Sequence, residues 1–201
     1  MDSPSDLAAL SADPYPYFEH SDASVRRLAV SVAAADPGQS GLAESLTALL
    51  QADPSARVRA EAAEVLASTG AGALGILLGA TDDPDAVVVE AVATGLGEIA
   101  DPAAVPWLVD AAGGHQDRLV REAAVAALGA IGDERALPIL IELAGKGPPQ
   151  IRRRSVVALT VFDGPDVEAA IRSALDDRNP MVREAAEMVV GRPLQRPPYN
   201  R

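Results

Sequence analysis

The chain has 201 residues, 48% of them hydrophobic but only 3% aromatic, so any packed core must be aliphatic. It has no cysteine and two histidines, which excludes disulfides, thiolate chemistry, cysteine-held metal clusters and any site built from three imidazoles. Seventeen basic residues against 29 acidic ones give a net charge of −12, a balance that opposes sequence-independent binding to a phosphate backbone.

The chain opens on Met1-Asp2-Ser3-Pro4-Ser5-Asp6, acidic and without the basic stretch that precedes the apolar part of a secretory signal. No apolar run approaches the roughly 18 residues of a membrane helix. The expectation is a cytoplasmic protein with no membrane partner. Residues 1–20 carry Tyr15, Tyr17 and Phe18 and no positive charge. They predict a short helix over Asp6–Ala12 and then an aromatic segment, together an N-terminal cap that shields the first turn of an open core.

From residue 21 to 191 the chain repeats. Six segments align on an apolar residue usually followed by arginine: Val25-Arg26, Val58-Arg59, Val88-Val89, Val120-Arg121, Ile151-Arg152 and Val182-Arg183, about 31 residues apart. Counting the first residue of each pair as position 0, small or apolar residues follow at positions 4, 8 and 11, as in Val120, Ala124, Leu128 and Ile131, one stripe of a helix. Asp53-Pro54, Asp83-Pro84 and Asn179-Pro180 predict helix starts, with a capping side chain ahead of a proline at the first helical position. Gly70, Gly132 and the Ala100-Asp101-Pro102 turn predict the stops. A second helix follows in each unit, carried by Leu74, Leu77 and Leu78, then Val105, Leu108 and Val109, then Leu137, Leu140 and Ile141. Trp107 aligns there with Ile76 and Ile139 and reads as a packing residue. The tail, residues 192–201, holds three prolines and should be extended.

The stretch from Asp117 to Asp133 carries Asp-x-x-Val-Arg-x-x-Ala-x-x-x-Leu-Gly-x-Ile-Gly-Asp nearly whole, and it resembles the short HEAT-like repeats named after the phycobilisome lyases. The resemblance covers roughly residues 18–191. It implies an all-α, right-handed α-solenoid of about six helical-hairpin repeats, each too small to bury its apolar face alone. The same repeat serves adaptors, assembly factors, lyases and repair enzymes, so it fixes no activity.

Little here can do chemistry. No His-Glu dipeptide of the kind that HEAT-like hydroxylases use to bind iron occurs, nor a HExxH helix, nor a phosphate-cradling glycine loop. His115 sits in a loop, Gly113-Gly114-His115-Gln116-Asp117, and reads as solvated. The expectation is a protein without catalytic, metal or cofactor residues, without nucleic acid as a partner, and of undetermined oligomeric state. A HEAT-like enzyme or enzyme subunit, acting on a tetrapyrrole or on damaged DNA, is the alternative.

The feature that points to a role lies on the helices that begin with Val-Arg. With positions 0, 4, 8 and 11 buried, positions 5 and 9 turn away at about 140° and 180°. Position 5 reads Val30, Ala63, Ala93, Val125, Val156 and Glu187. The resemblance implies that these helices line the concave side of the solenoid, and an apolar stripe turned outward there predicts a groove for a segment of a partner protein. Arg121, Arg152, Arg153 and Arg183 beside it would orient acidic groups on that partner. A competing explanation makes the stripe tight packing and the arginines a ladder that answers turn aspartates.

Overall fold

The computed structural model describes residues 4–36 and 38–191; the tail, 192–201, lies outside them. Among the described residues the secondary structure is entirely helical, with no strand. The chain forms two compact units that meet at Ala104 and Val105 in sequence.

The first unit contains α1 (Pro4–Ala12), α2 (Ala23–Ala33), α3 (Leu42–Ala52), α4 (Ala56–Ser68), α5 (Leu74–Leu78) and α6 (Ala86–Ile99). Helices α2, α4 and α6 start with the repeat's Val-Arg pair or its Val88-Val89 variant, and they pack side by side in that order. Helix α3 lies on α4 and α5 on α6, so each of these helices takes the element before it as its closer hairpin partner. Leu42, Leu46 and Leu50 of α3 are buried, as are Val58, Ala62 and Leu66 of α4. Spacing by four places each set on one stripe, and full burial of one leucine stabilises by about 1.5–3 kcal/mol. Helix α1 and a 3-10 turn at Tyr15–Tyr17 lie against α2 and bury Leu10 and Phe18.

The second unit contains α7 (Val105–Gly114), α8 (Arg118–Ile131), α9 (Leu137–Gly145), α10 (Pro149–Ala158), α11 (Pro165–Ala174) and α12 (Pro180–Val190). It repeats the scheme: α8, α10 and α12 pack in succession, with α7 on α8, α9 on α10 and α11 on α12. No helix among the described residues is long and apolar enough to cross a membrane.

The helix starts differ in part from the sequence expectation. Helix α12 does begin at Pro180, with the Asn179 side chain accepting from the Met181 N–H. Helices α4 and α6 begin after Ser55 and Asp85, leaving Pro54 and Pro84 in the preceding loop. Asp53 and Asp83 shape that loop instead, accepting the N–H groups of Ser55 and Asp85 two residues on. The stops are as expected: Gly132 is left-handed, and Ala100 takes the same conformation (φ 55°) at the equivalent place.

Candidate functional site

The stripe expected to face outward is core. Val30, Ala63, Ala93, Val125 and Val156 are each 0% exposed. A Val-Arg helix in the interior of a unit is covered by its hairpin partner and by a neighbour on either side. That buries roughly 200° of its circumference, where a single interface would cover about half as much. On α8 the same crowding explains the glycine at position 9. A methyl group built on Gly129 of α8 would stand 2.8 Å from the Ala158 Cβ of α10, closer than real side chains approach.

Three of the four arginines expected to meet a partner are committed inside the protein. Arg152, 2% exposed, makes a two-pronged ion pair with Asp177 (2.7 Å on both arms) and donates to the Gly147 carbonyl. Arg183 donates to the Asp177 carbonyl, and Arg121 to that of Ala112. The same ladder runs through the first unit. Arg26 grips Asp53 at 2.7 and 2.9 Å, and Arg59 holds Asp83 at 2.8 and 2.9 Å while reaching Asp85 at 2.7 Å. Burial alone would raise the Asp53 and Asp83 carboxyls. Hydrogen bonds from Arg26 or Arg59 and from the neighbouring amide outweigh it and hold both below the ordinary carboxylate range. For Asp177 the Arg152 hydrogen bonds are the largest influence, in the same direction.

The aspartates stand five residues before the next repeat's anchor. At that position the first and fourth repeats carry His20 and His115. Each accepts a backbone N–H through Nδ1, from Asp22 and Asp117 respectively, at 3.0 Å. His115 is therefore a half-buried turn cap and not a freely solvated loop residue. Among the described residues no group of three His, Cys, Asp or Glu side chains is placed to hold a metal ion.

The face left open on these helices lies about a quarter turn from the expected one, at positions −1, 2, 3, 6 and 10 of the repeat. In the first unit it is acidic. Glu61, Glu64, Glu90 and Glu98 gather there, and desolvation followed by repulsion from the other three raises the Glu64 pKa. In the second unit the face is apolar. Val157, Val161, Met181 and Met188 are exposed, Met188 to 73%. A cavity of about 490 Å³ opens between α8 and α10, walled by Ala126, Ala130, Val157 and Val161. A second, of about 310 Å³, opens between α10 and α12, walled by Val157, Met181 and Met188. Arg153 borders both, with no carboxylate in ion-pair range among the described residues. Arg154 lines the first cavity and reaches Glu122 only at 3.8 Å, a carboxylate that Arg118 also holds. Of the expected contacts, Arg153 alone stays available. The apolar residues were missed, although position 6 reads Ser31, Glu64, Thr94, Ala126, Val157 and Met188, a change from polar to apolar that was legible in the sequence.

The family of HEAT repeats matches residues 74–160. Over that stretch the chain resembles the HEAT-like repeat proteins. It shares its fold with solved armadillo and HEAT solenoids. One is the complex of CpcE and CpcF of phycocyanin lyase from Nostoc sp. PCC7120 (24% identity, TM-score 0.64, covering 76% of this chain and 99% of that one). Another is the E. coli protein YibA (16% identity, TM-score 0.67, covering 94% and 76%). A third is a designed armadillo repeat protein in complex with the peptide (KR)4 (16% identity, TM-score 0.64, covering 90% and 98%). At such identities the likeness is one of fold. Among curated proteins none matches the chain in sequence. Here the repeat's Val and Arg positions serve packing and the ladder, and the face at positions −1, 2, 3, 6 and 10 is the part left open.

Proposed function

We propose that this protein is a non-catalytic interaction scaffold, an adaptor or assembly factor of the cytoplasm that holds a segment of a partner protein on the open face of its Val-Arg helices. The observation that carries the reading is the run of exposed Val157, Val161, Met181 and Met188 on one face of the second unit. Monomeric surfaces scatter such side chains singly, and a group of them rimmed by arginine is the usual mark of a binding surface. The engagement of both histidines as turn caps supports a role without catalysis.

The test is capture of partners from an extract of the native host with wild type and Met188→Glu side by side. Met188 is exposed, so the substitution leaves folding within about 0.5 kcal/mol, and a central contact of an interface costs roughly 2 kcal/mol of affinity when lost. The expected outcome is a partner that wild type retains and Met188→Glu loses. Bilin colour on the purified protein, or a salt-sensitive shift of duplex DNA, would replace this reading with the enzymic one.

A further inference from the structure

The charge of the chain is divided unevenly between its units. The first, to Ala104, holds four of the 17 basic and 16 of the 29 acidic residues, a net charge of −12. The second holds the remaining 13 of each and is neutral overall. The open face follows the same division, with glutamates in the first unit and, in the second, Arg153 without a carboxylate in ion-pair range among the described residues. The two cavities of the second unit share Val157 and Arg153 as their common wall, so together they make one groove with two largely apolar pits and an arginine divide, Glu184 standing in the wall of the pit between α10 and α12. Methionine lines one pit, and its unbranched side chain adapts to varied apolar shapes.

We infer that this groove takes an acidic, amphipathic peptide segment of a partner protein. Two neighbouring apolar side chains fill the pits, and an aspartate or glutamate beside them pairs with Arg153 and Arg154. The inference rests on the scaffold reading above and adds the chemistry of the occupant. Arg153 carries the argument on charge: it is exposed on the groove's divide and has no carboxylate of its own among the described residues, so a partner's carboxylate gains a forked, charge-assisted contact there without displacing an internal one. A basic segment would meet two arginines at the groove, and the acidic face of the first unit would hold it more favourably.

A phage-displayed library of random 16-residue peptides, selected on the full chain, tests this directly. Enriched peptides should pair apolar residues with aspartate or glutamate. A synthetic peptide from that set should lose at least tenfold in affinity against Arg153→Glu and against Met188→Glu, and keep its affinity for Glu64→Lys. Circular dichroism melts verify that the variants fold, and the two groove substitutions lie on different helices, so a fault in one leaves the other to decide. Basic enriched peptides, or no enrichment at all, overturn the inference. Peptides whose binding survives both groove substitutions overturn it too, yet leave the scaffold reading standing. That reading falls on its own test, if host capture yields no partner sensitive to Met188→Glu.

Discussion

In the first, second and fifth repeats the arginine after the anchor residue does two things with one guanidinium. It closes the loop before its own helix by donating to a carbonyl there, and it pairs with the aspartate that shapes the next loop. Where that aspartate's place is taken by Lys146, Arg121 turns to a backbone carbonyl. His115 holds the same place in the fourth repeat, and there the cap contact survives through Nδ1. His115→Ala should therefore cost about 1 kcal/mol in denaturant unfolding, whereas His115→Asp, restoring the residue used elsewhere, should cost little. Equal losses from both would mean that the imidazole is held for another reason. Ala100 offers the opposite case. It is the one non-glycine residue described with positive φ, where equivalent turns use Gly70 and Gly132. The left-handed conformation costs an alanine about 1–2 kcal/mol and glycine's extra unfolded-state freedom about 0.4–1 kcal/mol, so Ala100→Gly should raise the denaturation midpoint slightly. Val125→Glu marks the difference between core and surface: at full burial it places an unpaired charge in the core and should unfold the second unit, while Met188→Glu melts like wild type.

Between helices, the closeness of approach sets which residues are allowed. Gly95 of α6 faces Ala67 of α4, and Gly129 of α8 faces both Cα and Cβ of Ala158 on α10. In a solvated helix Gly→Ala gains up to about 1 kcal/mol of helix propensity. At Gly129 the added methyl meets backbone 2.9 Å away, so the helices must part, and Gly129→Ala should lower stability by about 1–3 kcal/mol despite that gain. A rise in melting temperature would show that α8 and α10 have slack between them.

For the molecule as a whole, the buried ladder sets the response to pH. The carboxyls of Asp53, Asp83 and Asp177 all lie below their ordinary range in the folded state, so they bind protons less readily than in the unfolded chain. Their contribution is complete above the unfolded carboxylate value near 4 and is lost as the pH falls through and below it. Melting temperature should drop steeply from about pH 5 downward. The triple variant Asp53→Asn, Asp83→Asn, Asp177→Asn should begin lower at pH 7 and fall less over the same interval, and parallel profiles would show that other groups carry the acid sensitivity. At neutral pH the first unit's net charge of −12 works against compactness, and buried pairs are screened far less by salt than exposed like charges.

Periodicity alone determined the helices, their six-fold recurrence and the residues at positions 0, 4 and 8 that fill the core, Val190 of the last repeat excepted, because those depend on the helix's own geometry and on the need to bury aliphatic surface. Composition likewise determined the poverty of catalytic groups. Which way the rest of each helix faces depends on how many neighbours cover it, and that is a property of the stack. A single helical wheel with one buried stripe places Val125 and Val156 outside; the helices packed on α8 and α10 bury them and leave Val157 and Met188 exposed. The arginines were ambiguous for the same reason. Arg152 and Arg153 are adjacent in sequence, yet the 100° between them sends one into an ion pair with the next loop and the other to the groove. Only tertiary packing could decide between them, because the carboxylate that claims Arg152 stands 25 residues away along the chain.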